Sequence, residues 1–247
     1  MGGRRMLARV LGRYRMFLDA ADVGFATHML LDGLWEYEIT KFVAATIKPG
    51  MVVVDVGANF GYYTLLMSDF AGPSGRCISL EPNPEIVECL RDTVAVNGLT
   101  KRCVIHQLAA SHHNSEGILV VPKGEPKNGT LFRDPTEAGA STHTIALRTL
   151  DEVLADEPRI DFIKIDAEGS EGDILEGMQQ TLRKHRPRLL MEFNMSHAYD
   201  GPAMLENLLA IYGSLNFVDG TGRARSITGE KACIEARHED LMLYFSP

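Results

Sequence analysis

The chain has 247 residues, of which 45% are hydrophobic, so it is long enough to bury one large core. Its formal net charge is -8, with acidic and basic residues interspersed, which disfavours a general attraction to nucleic acid. No stretch approaches the roughly 20 apolar residues of a membrane-spanning helix, and no signal-peptide block precedes the first charges. We therefore expect a soluble protein without a transmembrane segment.

The cysteines are widely spaced, and none forms the C-x-x-C pair typical of metal knuckles and redox sites: Cys77, Cys89, Cys103 and Cys233. Three of them fall in predicted core segments, so we expect reduced thiols and a cytoplasmic location. The sequence contains no internal repeat. We predict a single domain, residues 49–247, behind an N-terminal extension, residues 1–48.

The N-terminal extension is predicted to be helical. Its first part fits a basic amphipathic helix, in which Arg4, Arg5, Arg9, Arg13 and Arg15 lie among Met6, Leu7, Val10, Leu11 and Phe17. We interpret it as a helix packed on its own domain, with contact to a membrane surface or a partner as the alternative. A second helix, covering the sheet or a cofactor mouth, is indicated by the helical spacing of Trp35, Ile39, Phe42, Val43 and Ile47.

A buried strand is predicted at Met51–Val54, and it leads into a loop of small residues. This placement puts Asp55 at the carboxyl end of the strand, where open α/β sheets bind their ligands. The loop leaves room for a cofactor close to the backbone at Gly57, Ala58 and Gly61. Asn59 stands where a dinucleotide fingerprint has its second glycine, and no Lys-Ser/Thr ending of a P-loop follows. The loop instead resembles the first motif of S-adenosylmethionine (SAM) methyltransferases.

Strand and helix patterns alternate through the rest of the chain, which is typical of βαβ units around a parallel sheet. Further strands are predicted at Cys77–Leu80, Cys103–Ala109, Phe162–Asp166, Arg188–Phe193, Leu215–Val218 and Leu241–Phe245. Helices are predicted at Tyr62–Phe70, Pro84–Val96, Asp151–Ala155, Gly172–His185 and Pro202–Tyr212. We therefore predict a doubly wound, mostly parallel seven-stranded α/β sheet with an antiparallel edge strand.

The segment His112–His143 interrupts this alternation. It is rich in Gly, Pro, Asn, Ser and Thr, so we expect a long loop or hairpin with little core of its own. Such excursions from a compact domain often carry function.

Acidic residues follow two of the predicted strands. Glu81 comes directly after Cys77–Leu80, a position from which a carboxylate accepts both hydroxyls of a bound ribose. The strand Phe162–Asp166 ends in a cluster formed by Asp166, Glu168 and Glu171. Glu171 has a structural explanation, because it precedes a helix whose free N–H groups favour an acid. Asp166 and Glu168 lie where cofactor and substrate should meet, so we interpret them as functional.

A set of motifs occurs in order along the chain: Gly33-x-Trp35-Glu36, Lys48-Pro49-Gly50, Val54-Asp55-Val56-Gly57-Ala58-Asn59-x-Gly61-Tyr62-Tyr63-Thr64, Glu81-Pro82-Asn83, Asn97-Gly98-Leu99, Thr149-Leu150-Asp151, Ile163-Lys164-Ile165-Asp166-x-Glu168-Gly169-x-Glu171 and Glu192. Together they resemble the FkbM-type methyltransferase family over roughly Gly33–Asn194. The resemblance implies a class I, Rossmann-like SAM-dependent methyltransferase. Such enzymes usually methylate oxygen on sugars, glycolipids or polyketide-type natural products.

Positions at the sheet edge then predict the binding site. We expect the cofactor to contact Asp55, Gly57, Ala58, Asn59, Gly61, Glu81, Asn83, Ala109 and Asp166. Within this set the loop would lie against the methionine portion and the ribose, and Asn83 with Ala109 would flank the adenine.

An alcohol must lose its proton as it attacks the methyl group, so a base within hydrogen-bond reach is expected. The candidate bases are Glu168, Glu192 and His197, and Asp166 or Glu168 would face the methionine ammonium or the acceptor. A divalent cation such as Mg²⁺ is an alternative way to ionise the alcohol, with Asp166, Glu192 and Asn194 as an oxygen-only ligand set.

Other function classes stay open at this point. A nucleotide-dependent oxidoreductase is disfavoured because the pair Tyr37-x-x-x-Lys41, which mimics that of short-chain dehydrogenases, precedes the cofactor loop instead of following it. A non-catalytic SAM-binding module is disfavoured by the presence of both Glu168 and Glu192. For the methyltransferase we expect a small-molecule acceptor, a sugar or secondary metabolite, with no nucleic-acid partner and with homo-oligomerisation left open.

Overall fold

An eight-stranded sheet forms the centre of the fold. The computed structural model describes residues 5–123, 129–131, 136 and 139–247. In chain order, the strands are β1 (Arg5–Val10), β2 (Tyr14–Asp19), β3 (Val52–Val56), β4 (Arg76–Leu80), β5 (Cys103–His106), β6 (Ala109–Ala110), β7 (Ser115–Val121), β8 (Ser141–Arg148), β9 (Phe162–Ile165), β10 (Arg188–Phe193), β11 (Asn216–Val218), β12 (Ala224–Ser226) and β13 (Leu241–Phe245). The helices are α1 (Phe25–Leu31), α2 (Tyr37–Thr46), α3 (Tyr62–Ala71), α4 (Pro84–Val96), α5 (Leu150–Val153), α6 (Glu171–Glu176), α7 (Gln179–His185), α8 (Gly201–Tyr212) and α9 (Gly229–Glu235).

The strand order of the central sheet is β12-β11-β13-β10-β9-β3-β4-β5. Five neighbouring strands, from β10 to β5, are parallel, and β13 is antiparallel to both β10 and β11. This topology confirms the predicted doubly wound, mostly parallel α/β sheet. The short strand β12 adds an eighth member to the seven predicted strands, and it was not expected from the sequence.

Both faces of the parallel strands are covered. The hairpin β1–β2 and helices α1 to α4 pack on one face, and helices α6, α8 and α9 pack on the other. All four residues of β9 are buried, because side chains from a central parallel strand enter both layers. Across the described ranges, none of the helices is both long and apolar enough to cross a bilayer.

The first part of the N-terminal extension is a β-hairpin, so the predicted basic amphipathic helix is wrong. β1 and β2 pair antiparallel, with Arg9 opposite Arg15. Val10 and Met16 are buried while both arginines are exposed. Exposed arginines therefore alternate with buried apolar residues, which is the pattern of a β-strand as well as a possible helix pattern. The turn contains Gly12 with a φ of 69°, a backbone conformation that a continuous helix does not contain.

The hairpin packs on α4, which confirms that this segment lies against its own domain. The backbone N–H of Phe17 donates to Thr93 Oγ1 at 2.9 Å, and that of Arg15 donates to Asn97 Oδ1 at 3.0 Å. The predicted second helix is present as α2, and Phe42 of α2 shares one hydrophobic cluster with Val53 of β3. The division of the chain at residue 48 stays a prediction.

The segment after β6 contains a hairpin, as expected for residues 112–143. β7 and β8 pair antiparallel and form a small sheet in the order β6-β8-β7. A compact apolar cluster of its own is formed by Ala109, Leu119, Val121, Ile145 and Leu147. Residues 124–128, 132–135, 137 and 138 lie outside the described part of the chain.

The predicted helix Gly172–His185 is divided in two. It is present as α6 and α7, which are separated at Gly177. The Gly177 carbonyl accepts from the N–H of Asp151, and a Cβ at this glycine would lie 2.0 Å from the Ser111 carbonyl oxygen. The packing of Gly177 against Asp151 and Ser111 therefore interrupts the helix, although the helical sequence pattern continues through this position.

The loop after β3 passes very close to β9. The N–H groups of Gly57 and Ala58 both donate to the Leu80 carbonyl at 3.0 Å, which ties this loop to β4. A Cβ at Gly57 would lie 1.8 Å from the carbonyl oxygen of Asp166. A side chain at this position would therefore separate β3 from the segment that follows β9.

We predict that Gly57→Ala destabilises the protein by at least ~2 kcal/mol more than Gly98→Ala. Gly98 is a matched control, since its φ is +71° against +77° at Gly57, but nothing lies within 4 Å of an added Cβ. Both variants carry the left-handed backbone penalty of about 1 kcal/mol, and only Gly57→Ala adds a backbone clash. Urea unfolding measures the difference, and equal losses in the two variants would contradict the close contact.

Candidate functional site

A cavity of about 350 Å³ opens at the carboxyl ends of the central parallel strands. This volume lies in the range of small-molecule sites. Its wall brings together nine of the residues predicted from the sequence: Gly57, Ala58, Asn59, Glu81, Asn83, Ala109, Asp166, Glu168 and Glu192. The remaining predicted residues do not line it: Asp55, Gly61, Asn194 and His197.

Asp55 lies beneath the cofactor loop and not on the cavity wall. It is fully buried, and its Oδ2 accepts from Thr64 Oγ1 at 2.6 Å. Burial raises the pKa of its carboxyl, and the nearby Lys164 charge opposes that shift. Gly61 also faces away from the cavity, because an added Cβ would lie 2.5 Å from Leu90 Cδ1 on α4. Both residues therefore hold the loop in place from behind.

Lys164 is a buried cation at the floor of the cavity. Its Nζ lies 2.9 Å from Asp166 Oδ2 and 4.6 Å from the centre of the Tyr63 ring. Burial disfavours the charge, but attraction from Asp166, Asp55 and Glu36 outweighs burial and raises the Lys164 pKa above its usual value. The ammonium group therefore stays protonated and neutralises part of the acidic surroundings.

Glu81 joins the two loops that follow β3 and β4. Its Oε2 accepts from the N–H of Asn59 and its Oε1 from the N–H of Asn83, each at 2.9 Å. Burial raises the pKa of this carboxyl to about 7, although the two amide hydrogen bonds oppose the shift. Each carboxylate oxygen has a second lone pair, so the group can accept further hydrogen bonds from a ligand.

Strained backbone is concentrated at the cavity wall. Three of its non-glycine residues have left-handed φ angles: Glu36 at 41°, Asn59 at 52° and Glu168 at 51°. Such conformations are uncommon outside glycine and cluster at functional sites. Asparagine tolerates this conformation better than most residues, which explains how Asn59 replaces the glycine of a dinucleotide loop.

One wall of the cavity comes from residues that sequence reasoning did not name as ligand contacts, although Trp35 belonged to the segment expected to cover the sheet or a cofactor mouth. Aromatic side chains from α1, α3 and the α1–α2 connection line it: Phe25, Trp35, Tyr62 and Tyr63. Glu36 lies among them, and its Oε2 accepts from the Tyr63 hydroxyl at 2.7 Å. The motif Gly33-x-Trp35-Glu36, which lies upstream of the sheet, was the sequence signal that could have identified this wall. Asp240, just before β13, also lines the cavity and had no such signal.

A second group of titratable residues lies at the carboxyl end of β10. Glu171, Glu192 and His197 each place one ligand atom within 4.8 Å of the other two. Burial and neighbouring carboxylates raise the pKa of Glu192 to about 10. Interaction with the Glu171 carboxylate, whose Oε2 lies 3.4 Å from Nδ1, raises the pKa of His197.

The oxygen-only metal set stays a prediction, and two of its members have other partners. Asp166 pairs with Lys164. The amide of Asn194 donates to Asp240, and its Oδ1 accepts from the N–H of Ser196 at 2.7 Å. The structure instead groups the third member, Glu192, with Glu171 and His197.

Comparison with known proteins identifies related methyltransferases. Residues 55–218 match the sequence model of the methyltransferase FkbM domain. Among solved structures, the chain is similar to a methyltransferase FkbM from Methylobacillus flagellatus KT, with 18% identity and a TM-score of 0.53, over 83% of this chain and 50% of that chain.

Curated relatives match over shorter stretches. The chain is 31% identical over 110 residues to protein-L-isoaspartate O-methyltransferase 1 of Arabidopsis thaliana, which covers 43% of each chain. It is 42% identical over 45 residues to a protein-L-isoaspartate O-methyltransferase of Methanothrix thermoacetophila, or 18% of this chain and 21% of the relative. The chain therefore spans less than half the length of these relatives.

We predict that Lys164→Met destabilises the protein by about 3 to 5 kcal/mol, because it leaves buried carboxylates without their cation. Lys231→Met is the matched control: Lys231 is exposed and lies 3.4 Å from Glu235, so its loss should cost about 0 to 1 kcal/mol. Urea unfolding of both variants gives the comparison. Wild-type stability of Lys164→Met would show that the buried charge does not organise the site.

Proposed function

Because the chain belongs to the FkbM methyltransferase family, we propose that its cavity binds SAM and that the protein methylates a hydroxyl oxygen of a small molecule. The observation that carries this proposal is the acidic composition of the cavity wall. Six acidic residues line it: Glu36, Glu81, Asp166, Glu168, Glu192 and Asp240. Among the described lining residues, Lys164 is the one basic side chain, and it is paired with Asp166.

This charge distribution favours a cationic ligand. SAM carries a sulfonium, an ammonium and a carboxylate group and is therefore cationic overall, and bound SAM supplies an activated methyl group. A dinucleotide carries a pyrophosphate, which sites for such cofactors place against backbone N–H groups and basic side chains. The acidic wall therefore supports a methyltransferase over the alternative of a nucleotide-dependent oxidoreductase.

The residues at the wall fit the parts of SAM. Glu81 is fixed by two backbone amides and has lone pairs left to accept the ribose hydroxyls. The small residues Gly57 and Ala58 leave the loop backbone open to the ribose and the methionine portion. Asn83 and Ala109 line the end assigned to the adenine. Asp55 would act on the cofactor only through the loop that it supports.

Glu168 is the base that we propose for the acceptor hydroxyl. It lines the cavity and follows β9, next to Asp166. Glu192 also lines the cavity, but its raised pKa of about 10 leaves it protonated at neutral pH. His197 does not line the cavity, so it would act through Glu171 or Glu192. The choice of a sugar or secondary metabolite as acceptor rests on the family alone.

We predict that affinity for S-adenosylhomocysteine, the demethylated product of SAM, rises from about pH 6 to about pH 8. The pKa of Glu81 is about 7, and its ionised form accepts both ribose hydroxyls, so binding strengthens as the proton is lost. Glu81→Gln should weaken binding about tenfold or more at pH 8 and flatten this pH dependence. Titration calorimetry measures both effects.

Glu85→Gln is the matched control for this experiment. Glu85 is an exposed acid at the start of α4, and it is absent from the cavity wall, so binding should not change. Unchanged affinity of Glu81→Gln, or tighter binding of NAD than of SAM, would contradict the proposed site.

We predict that Glu168→Gln lowers methyl transfer by about a hundredfold or more while leaving affinity for S-adenosylhomocysteine nearly unchanged. The assay is transfer of a labelled methyl group from SAM to a panel of hydroxylated sugars and secondary metabolites. Parallel losses of turnover and affinity would assign Glu168 to cofactor binding. Strong SAM binding with no transfer to any acceptor would favour the non-catalytic module.

A further inference from the structure

Two glutamates and a histidine converge beside the cavity, and Glu192 is the member of this group that lines it. Glu171 begins α6 after β9, Glu192 belongs to β10, and His197 lies in the loop that follows β10. One ligand atom from each residue lies within 4.8 Å of the other two. The three residues come from different elements, so the fold is what brings them together.

Glu171 is held with one oxygen fixed and the other unused. Its Oε1 accepts from the N–H of Ala167 at 2.9 Å, although the residue is fully buried. Its Oε2 has no hydrogen-bond partner within the described part of the chain. His197 Nδ1 lies 3.4 Å from this oxygen and also makes no hydrogen bond to a described residue. A buried carboxylate oxygen without a hydrogen bond is costly, so this arrangement favours a cation between the two groups.

The surroundings of Glu192 add to the negative charge. Its carboxyl shares the cavity wall with Asp166, Glu168 and Asp240, and one of its oxygens lies within 4.8 Å of a Glu171 carboxylate oxygen. A divalent cation would offset the repulsion among these carboxylates. The same residues therefore supply both the ligand atoms and the electrostatic attraction.

We propose that Glu171, Glu192 and His197 bind a divalent transition-metal ion at the cavity wall. Two carboxylates with one imidazole suit ions such as Mn²⁺, Fe²⁺ or Zn²⁺, whereas Mg²⁺ prefers oxygen ligands alone. Three protein ligands leave coordination positions open, and Glu192 connects the site to the cavity.

The role of the ion rests on the proposed function. An acceptor hydroxyl bound to a divalent cation loses its proton more readily, and the proton would pass to Glu168 or to water. The competing explanation is that a protonated His197 neutralises Glu171 with no metal. The pKa of His197 is raised by Glu171, as this explanation requires, so the two explanations must be separated by experiment.

The test is a titration of the chelator-treated protein with Mn²⁺ alone, followed by the electron paramagnetic resonance signal of free Mn²⁺. We expect one site, weakened about a hundredfold by His197→Ala and by Glu171→Gln. His112→Ala is the matched control, since His112 forms an exposed pair with Asp173 at 3.3 Å and should bind Mn²⁺ as the wild type does. His197→Asn provides a second variant if either substitution prevents folding.

Titration of the same samples with S-adenosylhomocysteine separates the two proposals. Cofactor binding by wild-type protein that takes up neither Mn²⁺ nor Zn²⁺ would overturn the metal site and leave the methyltransferase intact. Metal binding that all the site variants retain would also overturn it. Metal binding lost in His197→Ala and kept in His112→Ala would support the site, even if S-adenosylhomocysteine failed to bind.

Discussion

The buried charge of Lys164 is the interaction on which the cavity depends. Lys164 pairs in register with Asp55 on the neighbouring strand β3, and its ammonium group contacts Asp166 at the end of β9. One cation therefore links the strand before the cofactor loop to the strand that ends in the acidic cluster. Without it, the fully buried Asp55 would have no cation to offset its charge and that of the partly buried Asp166, which would be strongly unfavourable. The Tyr63 ring covers the cation and connects it to Glu36.

The acidic wall follows from this arrangement. Carboxylates at the cavity are held by groups behind them: Asp166 by Lys164, and Glu81 by the amides of Asn59 and Asn83. These partners stabilise the carboxylates while leaving the wall rich in negative charge. Under the proposed function, these carboxylates would disfavour phosphates and attract a cationic cofactor, so the charges that shape the loop would also select the ligand.

Sequence reasoning predicted the sheet and nine of the residues at the cavity wall, because these follow from local periodicity and from the rule that ligands bind at the carboxyl ends of parallel strands. It failed at the N-terminus, where the arginine pattern fits both periods and contact with α4 decides for a hairpin. It placed Asp55 correctly at the carboxyl end of β3, but Asp55 lies beneath the loop that follows and not on the cavity wall. The grouping of Glu171, Glu192 and His197 could not be predicted from the sequence, because separate elements position the three residues.

The central claim is that the cavity between Glu81 and the Gly57 loop binds SAM. The most direct test is a crystal structure of the chain grown with S-adenosylhomocysteine. We predict ligand density inside the cavity, with the ribose hydroxyls within hydrogen-bond distance of Glu81 and the adenine beside Asn83. Density at another surface, or a ribose bound away from Glu81, would contradict this account.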